Sequence, residues 1–217
     1  MWAREHSLHG AWQVSWKHPF LSDPGRPIIL ASASPRRADI LRAQGLEFTV
    51  QPAQIDEDVM PGETPGPHVE RLALDKARAV AAKADNALVL GFDTIVVIDG
   101  EILGKPQDAA DASRMLGRLS GRTHVVHSSC ALVCVDAGQE QVAHSTTGVR
   151  FRSLAPDEIT AYVEHGEPMD KAGAWGIQGV GAMLVEHLEG GYFTVMGLPL
   201  GCMRELWAQV FGAPVTR

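Results

Sequence analysis

The hydrophobic pattern of this chain begins with a short apolar run that leads directly into a helix. Residues 28–31 are apolar, and the segment that follows them is Ser-Ala-Ser-Pro-Arg-Arg-Ala-Asp-Ile. Ser34 suits the N-cap of a helix and Pro35 its first position, where the missing N–H of proline would be unpaired anyway. The pattern predicts a buried strand, followed at once by a helix whose first turn carries Arg36 and Arg37.

Further along the chain, apolar positions recur at the spacing of either helices or strands. Near-helical spacing predicts a helix over residues 68–84, and a nearly continuous, β-branched apolar run predicts a buried strand over 87–98. Asp99-Gly100 predicts a tight hairpin turn after that strand. The other predicted elements are strands at 48–50, 101–104, 123–135, 141–151 and 183–188, a turn at Gly190-Gly191, and helices at 108–119, 156–165 and 197–210.

Two segments lack either spacing and are predicted to be irregular. Residues 54–67 are acidic and rich in proline and glycine, and residues 170–181 contain four glycines. Glycine lets a backbone approach a flat ligand closely, and Trp175 and Gln178 could pack against a base and hydrogen-bond to it. The alternative for 170–181 is a buried loop without a ligand. Helices mixed with hairpins predict an α/β or α+β domain around a mixed sheet.

Length and composition limit the class of protein. With 217 residues and 45% apolar content, the chain can bury one large core or the cores of two small lobes. A net charge of −7 argues against broad binding to nucleic acid or anionic membranes, and we find no apolar run long enough to span a bilayer. The three cysteines lack metal-binding spacing, which favours reduced thiols and a cytoplasmic protein.

Residues 1–26 differ from the rest of the chain. They contain three of the five tryptophans and several turn-forming residues, without the apolar stretch of a secretory signal. We expect an N-terminal extension that is partly disordered, because chain ends are often poorly tied down. A single domain over residues 27–217 is expected to follow it.

The first predicted helix has the features of a phosphate site. The N-terminal end of a helix presents free N–H groups and partial positive charge, to which anions bind. Arg36 and Arg37 add forked donors that match phosphate oxygens. An ordinary turn with two solvated arginines is the alternative. Because the protein is acidic overall, any bound polyanion must meet a local basic cluster.

Several charged residues elsewhere are candidates for catalysis. Asp93 interrupts the most apolar strand, where a carboxylate is costly unless it caps the strand, binds a cation or exchanges protons. Glu57 belongs to an acidic triplet that is either a solvated loop or a source of metal ligands, since one or two carboxylates plus phosphate oxygens can hold a divalent ion. Lys76 and Lys105 would individually be ordinary solvated lysines. The chain has neither a P-loop nor a G-x-S-x-G nucleophile motif.

Six separated segments occur in the order of a known set of motifs. They are Ser32-Ala-Ser34-Pro35-Arg36-Arg37, Leu74-Asp-Lys76-Ala77, Gly91-Phe-Asp93-Thr94, Gly104-Lys105-Pro106, Asp170-Lys171-Ala-Gly-Ala-Trp-Gly-Ile-Gln178-Gly and Gly197-Leu-Pro-Leu. Together they resemble the Maf family of nucleoside triphosphate pyrophosphatases over about residues 27–210. The resemblance implies an α/β fold like that of inosine triphosphate pyrophosphatases, with two lobes around a mixed twisted sheet and a nucleotide in the cleft between them. It also implies a divalent metal, Mg²⁺ or Mn²⁺, and a homodimer.

The resemblance also assigns roles to residues. The motifs are similar to those of the branch that acts on dTTP and UTP, whereas the 7-methyl-GTP branch has tryptophan after the proline and Asp-Gln in place of Asp-Thr. Phe92 and the N-terminal extension depart from the family pattern. The resemblance implies that Asp93 accepts a proton and that Arg37, Thr94 and Gln178 govern base choice. The expected site comprises Asp93, Lys76 and Lys105 as catalytic residues, Ser32, Ser34, Arg36, Arg37, Thr94 and Gln178 as substrate-binding residues, and Glu57 and Asp93 as metal ligands.

The resulting hypothesis is that water attacks the α-phosphorus of dTTP or UTP, giving the monophosphate and pyrophosphate. Two alternatives stay open at this point. One is a nucleotide-binding regulator of cell division (septum formation) without significant hydrolysis, against which the presence of Asp93 weighs, because binding alone needs no proton acceptor. The other is a pyrophosphatase for modified pyrimidine nucleotides.

Overall fold

The structure, a computed structural model, describes Trp16 and residues 18–213. The α-helices are α1 (Pro35–Ala43), α2 (Pro65–Ala81), α3 (Ala109–Leu119), α4 (Pro156–Glu164), α5 (Tyr192–Val195) and α6 (Leu200–Phe211). The strands are β1 (Ile28–Leu30), β2 (Thr49–Val50), β3 (Leu88–Ile98), β4 (Glu101–Leu103), β5 (Thr123–Cys134), β6 (Gln139–Phe151) and β7 (Val185–Gly190). Short 3₁₀ helices span Glu167–Asp170, Ala172–Ala174 and Gly179–Leu184.

Within the described residues, seven strands form one mixed sheet. The main order is β2-β1-β3-β5-β6-β7, and β4 pairs with β3 beside this path. β1 is parallel to both β2 and β3. The pairs β3–β5, β5–β6 and β6–β7 are antiparallel. The predicted mixed α/β sheet is therefore confirmed. None of the helices in the described part of the chain is both long and apolar enough to cross a membrane.

Two large apolar clusters meet in the middle of the longest strands. Leu90 and Phe92 of β3 pack into one cluster with α6, while Val96 and Ile98 of the same strand pack into a second cluster with α3. Asp93 lies at the junction between the two halves of β3. Polar side chains can be buried at this junction because they form hydrogen bonds with one another, as described below.

Helix α2 begins earlier than its apolar spacing predicts. The helix starts at Pro65 rather than at residue 68, so the prediction of a loop over residues 65–67 is wrong. Pro65 and Pro67 both lie in the first helical turn, where proline costs little because those N–H groups have no partner within the helix. The last three residues of the predicted loop 54–67 therefore form the first turn of α2.

The C-terminal part of the chain also differs from its pattern. The last strand is Val185–Gly190 instead of 183–188, because residues up to Leu184 form a 3₁₀ helix. Gly190 pairs with Thr147 and so belongs to the strand, which corrects the predicted turn. The final helix begins after Pro199, three residues later than predicted.

The predicted hairpin at Asp99-Gly100 is confirmed. Ile98 pairs with Glu101, and both turn residues have positive φ, +54° for Asp99 and +77° for Gly100. This conformation is the one that Asp-Gly favours in two-residue hairpin turns. The β5–β6 hairpin is confirmed as well, with Cys134 paired to Gln139.

The described part of the N-terminal extension packs on α6. Trp16 stacks on Trp207 with 6.0 Å between ring centroids, Leu21 is buried, and the indole N–H of Trp207 donates to the Ser22 carbonyl at 2.8 Å. The expected disorder of residues 1–15 and 17 lies outside the described residues. The domain boundary at residue 27 stays a prediction.

Gly91 allows α2 to lie against β3. A Cβ atom at Gly91 would come within 2.1 Å of the Ala73 carbonyl oxygen and 3.0 Å of the Ala77 Cβ atom. Only hydrogen fits between this strand and this helix. The close approach brings Lys76 of α2 to Asp93 of β3, whose side chains form an ion pair.

We therefore expect Gly91→Ala to be strongly destabilising. Forcing α2 away from β3 should lower the free energy of unfolding by about 1–3 kcal/mol or more, as overpacking does elsewhere. Chemical denaturation measures this change. Gly117→Ala in α3 is the matched control, because a Cβ there meets none of the described atoms within 4 Å. Equal stability of the two variants would contradict the packing described here.

Candidate active site

The predicted site residues line one cavity of about 650 Å³. The cavity is bordered by the turn between β1 and α1, the middle of β3, the loop after β4, and the glycine-rich segment 170–181. The predicted residues that line it are Ser32, Ser34, Arg36, Arg37, Glu57, Lys76, Asp93, Thr94, Lys105 and Gln178. The fold thus brings all the predicted residues together, while their individual roles stay predictions.

Lys76 lies between two carboxylates. Its Nζ atom is 2.7 Å from Asp93 Oδ1 and 2.8 Å from Glu57 Oε1. The Lys76 and Asp93 side chains are 11% and 8% exposed, whereas the Glu57 side chain is 58% exposed. The ammonium group compensates the charge of the buried Asp93 carboxylate, and the more exposed Glu57 carboxylate approaches the same lysine.

The second oxygen of Asp93 has no protein partner. Asp93 Oδ2 is buried and makes no hydrogen bond to any of the described residues. A buried carboxylate oxygen without a partner is costly, so it is a place where a proton, a water molecule or a cation can bind. The neighbouring Lys76 holds the other oxygen and fixes the direction in which Oδ2 points.

Within the described residues, no group of three or more His, Cys, Asp or Glu side chains is placed to hold a metal ion. Glu57 and Asp93 are nevertheless two carboxylates that meet at one lysine. Mg²⁺ commonly binds one or two carboxylates and completes its shell with waters and phosphate oxygens. The exposed Glu57 carboxylate and the neighbouring Asp93 carboxylate fit such an ion better than a cage made of protein alone.

Arg36 and Lys105 add two positively charged side chains to the cavity. Both line the cavity, and in the part of the chain that the structure describes neither forms an ion pair or a side-chain hydrogen bond. The first turn of α1 adds N–H groups at the same end of the cavity. An acidic protein therefore has a local cationic surface beside the Asp93 carboxylate.

Arg37 is oriented differently from Arg36. Its guanidinium donates to the carbonyl oxygens of Gly197 and Phe92 at 2.8 and 3.0 Å, to Ser32 Oγ at 3.3 Å and to Thr94 Oγ1 at 3.1 Å. Burial lowers the pKa of Arg37, and the Asp93 charge opposes that shift. Most of its donors are engaged, so Arg36 rather than Arg37 has its fork available for a phosphate group.

The two serines of the β1–α1 turn also have separate contacts. Ser34 occupies the N-cap position and Pro35 the first helical position, as predicted. The Ser34 hydroxyl makes no capping hydrogen bond, however, and its backbone N–H donates to Ser32 Oγ at 3.2 Å. The Ser34 hydroxyl is thus left for the cavity that it lines.

Glu167 and Tyr162 hold the loop that carries Gln178. The Glu167 carboxylate accepts from the N–H groups of Val180 and Gly181 at 3.0 and 3.1 Å and from the Tyr162 hydroxyl at 3.0 Å. Burial and the Glu167 carboxylate raise the pKa of Tyr162, which keeps its hydroxyl protonated as a donor. Sequence reasoning missed both residues. The position of Glu167, just before the glycine-rich segment, is the only clue that the sequence offers.

Comparison with known proteins agrees with the motifs. A family model described as "Maf-like protein" matches residues 27–210. A dTTP/UTP pyrophosphatase of Moorella thermoacetica is 56% identical over 188 residues, which cover 87% of this chain and 96% of the relative. Proteins of the same name from Symbiobacterium thermophilum and Desulforamulus reducens are 53% and 43% identical, covering 87% and 88% of this chain and 95% and 99% of the relatives.

Proposed function

Because the chain belongs to the Maf family, we propose that it hydrolyses dTTP and UTP to the corresponding monophosphate and pyrophosphate. Relatives with the name dTTP/UTP pyrophosphatase match most of this chain. The observation that carries the proposal is the Asp93 carboxylate, which lines a cavity with Lys76, Arg36 and Lys105 and whose Oδ2 has no protein partner. A proton acceptor beside a cationic surface is what hydrolysis of a polyphosphate requires.

The cationic residues address an electrostatic obstacle. A triphosphate is strongly negative and repels an incoming nucleophile, so fixed positive charge must neutralise it before water can approach. Arg36 and Lys105 have no competing partner among the described residues and are the groups we assign to the phosphate chain. Arg36 offers a planar fork that can bind two phosphate oxygens, and Lys105 offers a point charge.

Asp93 accepts the proton from the attacking water. The water oxygen forms a bond to the α-phosphorus, the bond from that phosphorus to the bridging oxygen breaks, and pyrophosphate leaves. The proton of the water passes to Asp93 Oδ2, while Lys76 stays on Oδ1 and keeps the carboxylate oriented. Positioning the carboxylate before the reaction avoids the cost of reorganising it during the reaction.

Glu57 and Asp93 are the residues that we propose to hold a divalent cation, Mg²⁺ or Mn²⁺. The support for this assignment is that the Glu57 and Asp93 carboxylates meet at Lys76 and that the Glu57 side chain is exposed. A bound divalent ion would neutralise charge on the triphosphate oxygens.

Base choice is assigned to Arg37, Thr94 and Gln178. These three residues line the cavity together, and Arg37 is joined to Thr94 by a hydrogen bond. Gln178 is exposed and presents an amide that can both donate and accept. Such a group can recognise the carbonyl and N–H edge of uracil or thymine.

Gln178→Ala is expected to weaken discrimination among bases. Losing a base-edge hydrogen bond should reduce the preference for UTP over other nucleoside triphosphates by about tenfold or more, as lost polar recognition does in other enzymes. The ratios of kcat/KM for UTP, CTP, ATP and GTP measure this change. Gln141→Ala on the exposed part of β6 is the matched control. Unchanged ratios in Gln178→Ala would remove Gln178 from base recognition.

A nucleotide panel tests the proposed function against its alternatives. Purified protein is mixed with each common and modified pyrimidine and purine triphosphate, with Mg²⁺ and separately with Mn²⁺, and pyrophosphate release is followed. Fastest turnover of dTTP and UTP supports the proposal. Fastest turnover of a modified pyrimidine nucleotide would replace the substrate, and binding without turnover would favour the cell-division regulator.

The homodimer and the cytoplasmic location also stay predictions. Cys130, Cys134 and Cys202 are free thiols, which is consistent with a reducing compartment. Light scattering of the purified protein would measure its oligomeric state.

A further inference from the structure

A chain of hydrogen bonds connects the proposed base site to a buried serine. Arg37 donates to Thr94 Oγ1 at 3.1 Å, Thr94 Oγ1 lies 2.7 Å from Ser128 Oγ, and Ser128 Oγ donates to the Asp93 carbonyl oxygen at 3.1 Å. Thr94 lines the cavity, whereas Ser128 is fully buried on β5 behind it. Ser128 can therefore affect a ligand only through the groups that it bonds, which are the Thr94 hydroxyl and the Asp93 backbone.

The direction of each proton follows from the chemistry of the groups. The Asp93 carbonyl oxygen can only accept, so the single proton of the Ser128 hydroxyl points to it. The short contact between Ser128 and Thr94 then needs the Thr94 proton, because two hydroxyl oxygens at 2.7 Å must share one hydrogen. Arg37 occupies one lone pair of Thr94 Oγ1. Thr94 Oγ1 can therefore only accept a hydrogen bond from a ligand, through its remaining lone pair.

The reverse arrangement makes fewer hydrogen bonds. If Ser128 donated to Thr94, the Asp93 carbonyl would lose its Ser128 donor, although all three groups are at bonding distance. Buried polar groups favour the arrangement that satisfies most of them. The arrangement with Thr94 as donor to Ser128 satisfies every contact in the chain.

We propose that Ser128 makes Thr94 Oγ1 an acceptor-only group and thereby selects pyrimidines whose N3 atom carries a proton. Uracil and thymine have an N3–H that can donate to this lone pair. Cytosine has a bare lone pair at N3, which would face the lone pair of Thr94 without a proton between them. Ser128 is thus a positioning residue for base choice, and the inference rests on the proposed function as a nucleotide pyrophosphatase.

The test compares UTP with CTP in wild-type protein and in two serine variants. Ser128→Ala releases the Thr94 proton, so the hydroxyl can rotate and donate to N3 of cytosine. We expect the ratio of kcat/KM for UTP over CTP to fall by at least about tenfold. This factor is smaller than the discrimination between substrates that a directional hydrogen bond can give. Ser129→Ala is the matched control, because Ser129 is also fully buried but donates to the Val69 carbonyl of α2. This control is expected to keep the wild-type ratio.

The outcomes separate this inference from the proposed function. If wild-type protein hydrolyses UTP and Ser128→Ala slows UTP and CTP by the same factor, Ser128 is only a packing residue and the inference is overturned. If wild-type protein hydrolyses no triphosphate, the proposed function itself fails. A fall in the ratio for Ser129→Ala equal to that for Ser128→Ala would also overturn the inference, because any lost buried hydroxyl would then have the same effect.

A second variant keeps the test decisive if Ser128→Ala does not fold. Ser128→Cys keeps the shape of the side chain but replaces the hydroxyl by a thiol, which is a weak donor and a weak acceptor. The ratio for UTP over CTP should fall in this variant as well, with a melting temperature close to that of wild-type protein. A folded Ser128→Cys variant with the wild-type ratio would overturn the inference.

Discussion

Asp93→Asn is expected to lower kcat for dTTP by at least about a hundredfold, because a general base is lost. Asparagine has nearly the same shape, and its carbonyl oxygen can still accept from Lys76. The fold and most of the nucleotide affinity should therefore be kept. Steady-state kinetics of pyrophosphate release, together with a melting curve, measure the two properties separately.

Asp99→Asn provides the control for this variant. Asp99 follows the same strand, but it lies at the exposed hairpin turn and pairs with Arg122 rather than with a residue of the cavity. Its replacement should leave turnover unchanged. Turnover of Asp93→Asn close to that of wild-type protein would show that another group takes the proton, and Glu57 would then be the next candidate.

Lys76→Met is expected to have the second largest effect, on both stability and activity. Methionine keeps the apolar stem of the side chain and removes the ammonium group, which leaves Asp93 as an uncompensated buried charge. Breaking a buried ion pair in this way costs about 3–5 kcal/mol. Turnover should also fall by at least about tenfold, because the cavity loses charge that neutralises the triphosphate and Asp93 loses its orientation. Denaturant unfolding and steady-state kinetics measure the two effects.

A double variant separates the two causes. In Lys76→Met/Asp93→Asn the buried charge is gone along with its partner, so this protein should be more stable than Lys76→Met alone and still inactive. Lys83→Met, in the exposed segment just after α2, is the control for the lysine change itself. A double variant no more stable than Lys76→Met would contradict the pairing of Lys76 with Asp93.

Local patterns in the sequence predicted most of the fold because each depends on neighbouring residues. The turn at Asp99-Gly100 follows from residues that accept positive φ, and the buried strand over residues 88–98 follows from its apolar run. The errors lie where contacts between residues far apart in the sequence determine the local structure. Residues 183 and 184 end a 3₁₀ helix instead of beginning the last strand. The carboxylate of Glu167 accepts from the N–H groups of Val180 and Gly181 in this helix.

For the candidate site, too, the sequence predicted which residues take part but not the contacts between residues distant along the chain. Motifs predicted which residues would meet at one cavity, since residue type and order along the chain suffice for a resemblance. They did not predict that Arg37 would turn away from Arg36 to bind the Phe92 and Gly197 carbonyls. They also gave no indication of Ser128, which is separated from Thr94 by 34 residues and meets it only because β3 and β5 pair in one register.

The position of the bond that breaks tests the central claim most directly. Hydrolysis of dTTP in water enriched in ¹⁸O, followed by mass spectrometry of both products, identifies the phosphorus that water attacks. Attack at the α-phosphorus beside Asp93 places the label in dTMP and leaves the released pyrophosphate unlabelled. Label in the pyrophosphate, or release of orthophosphate as the first product, would contradict the account.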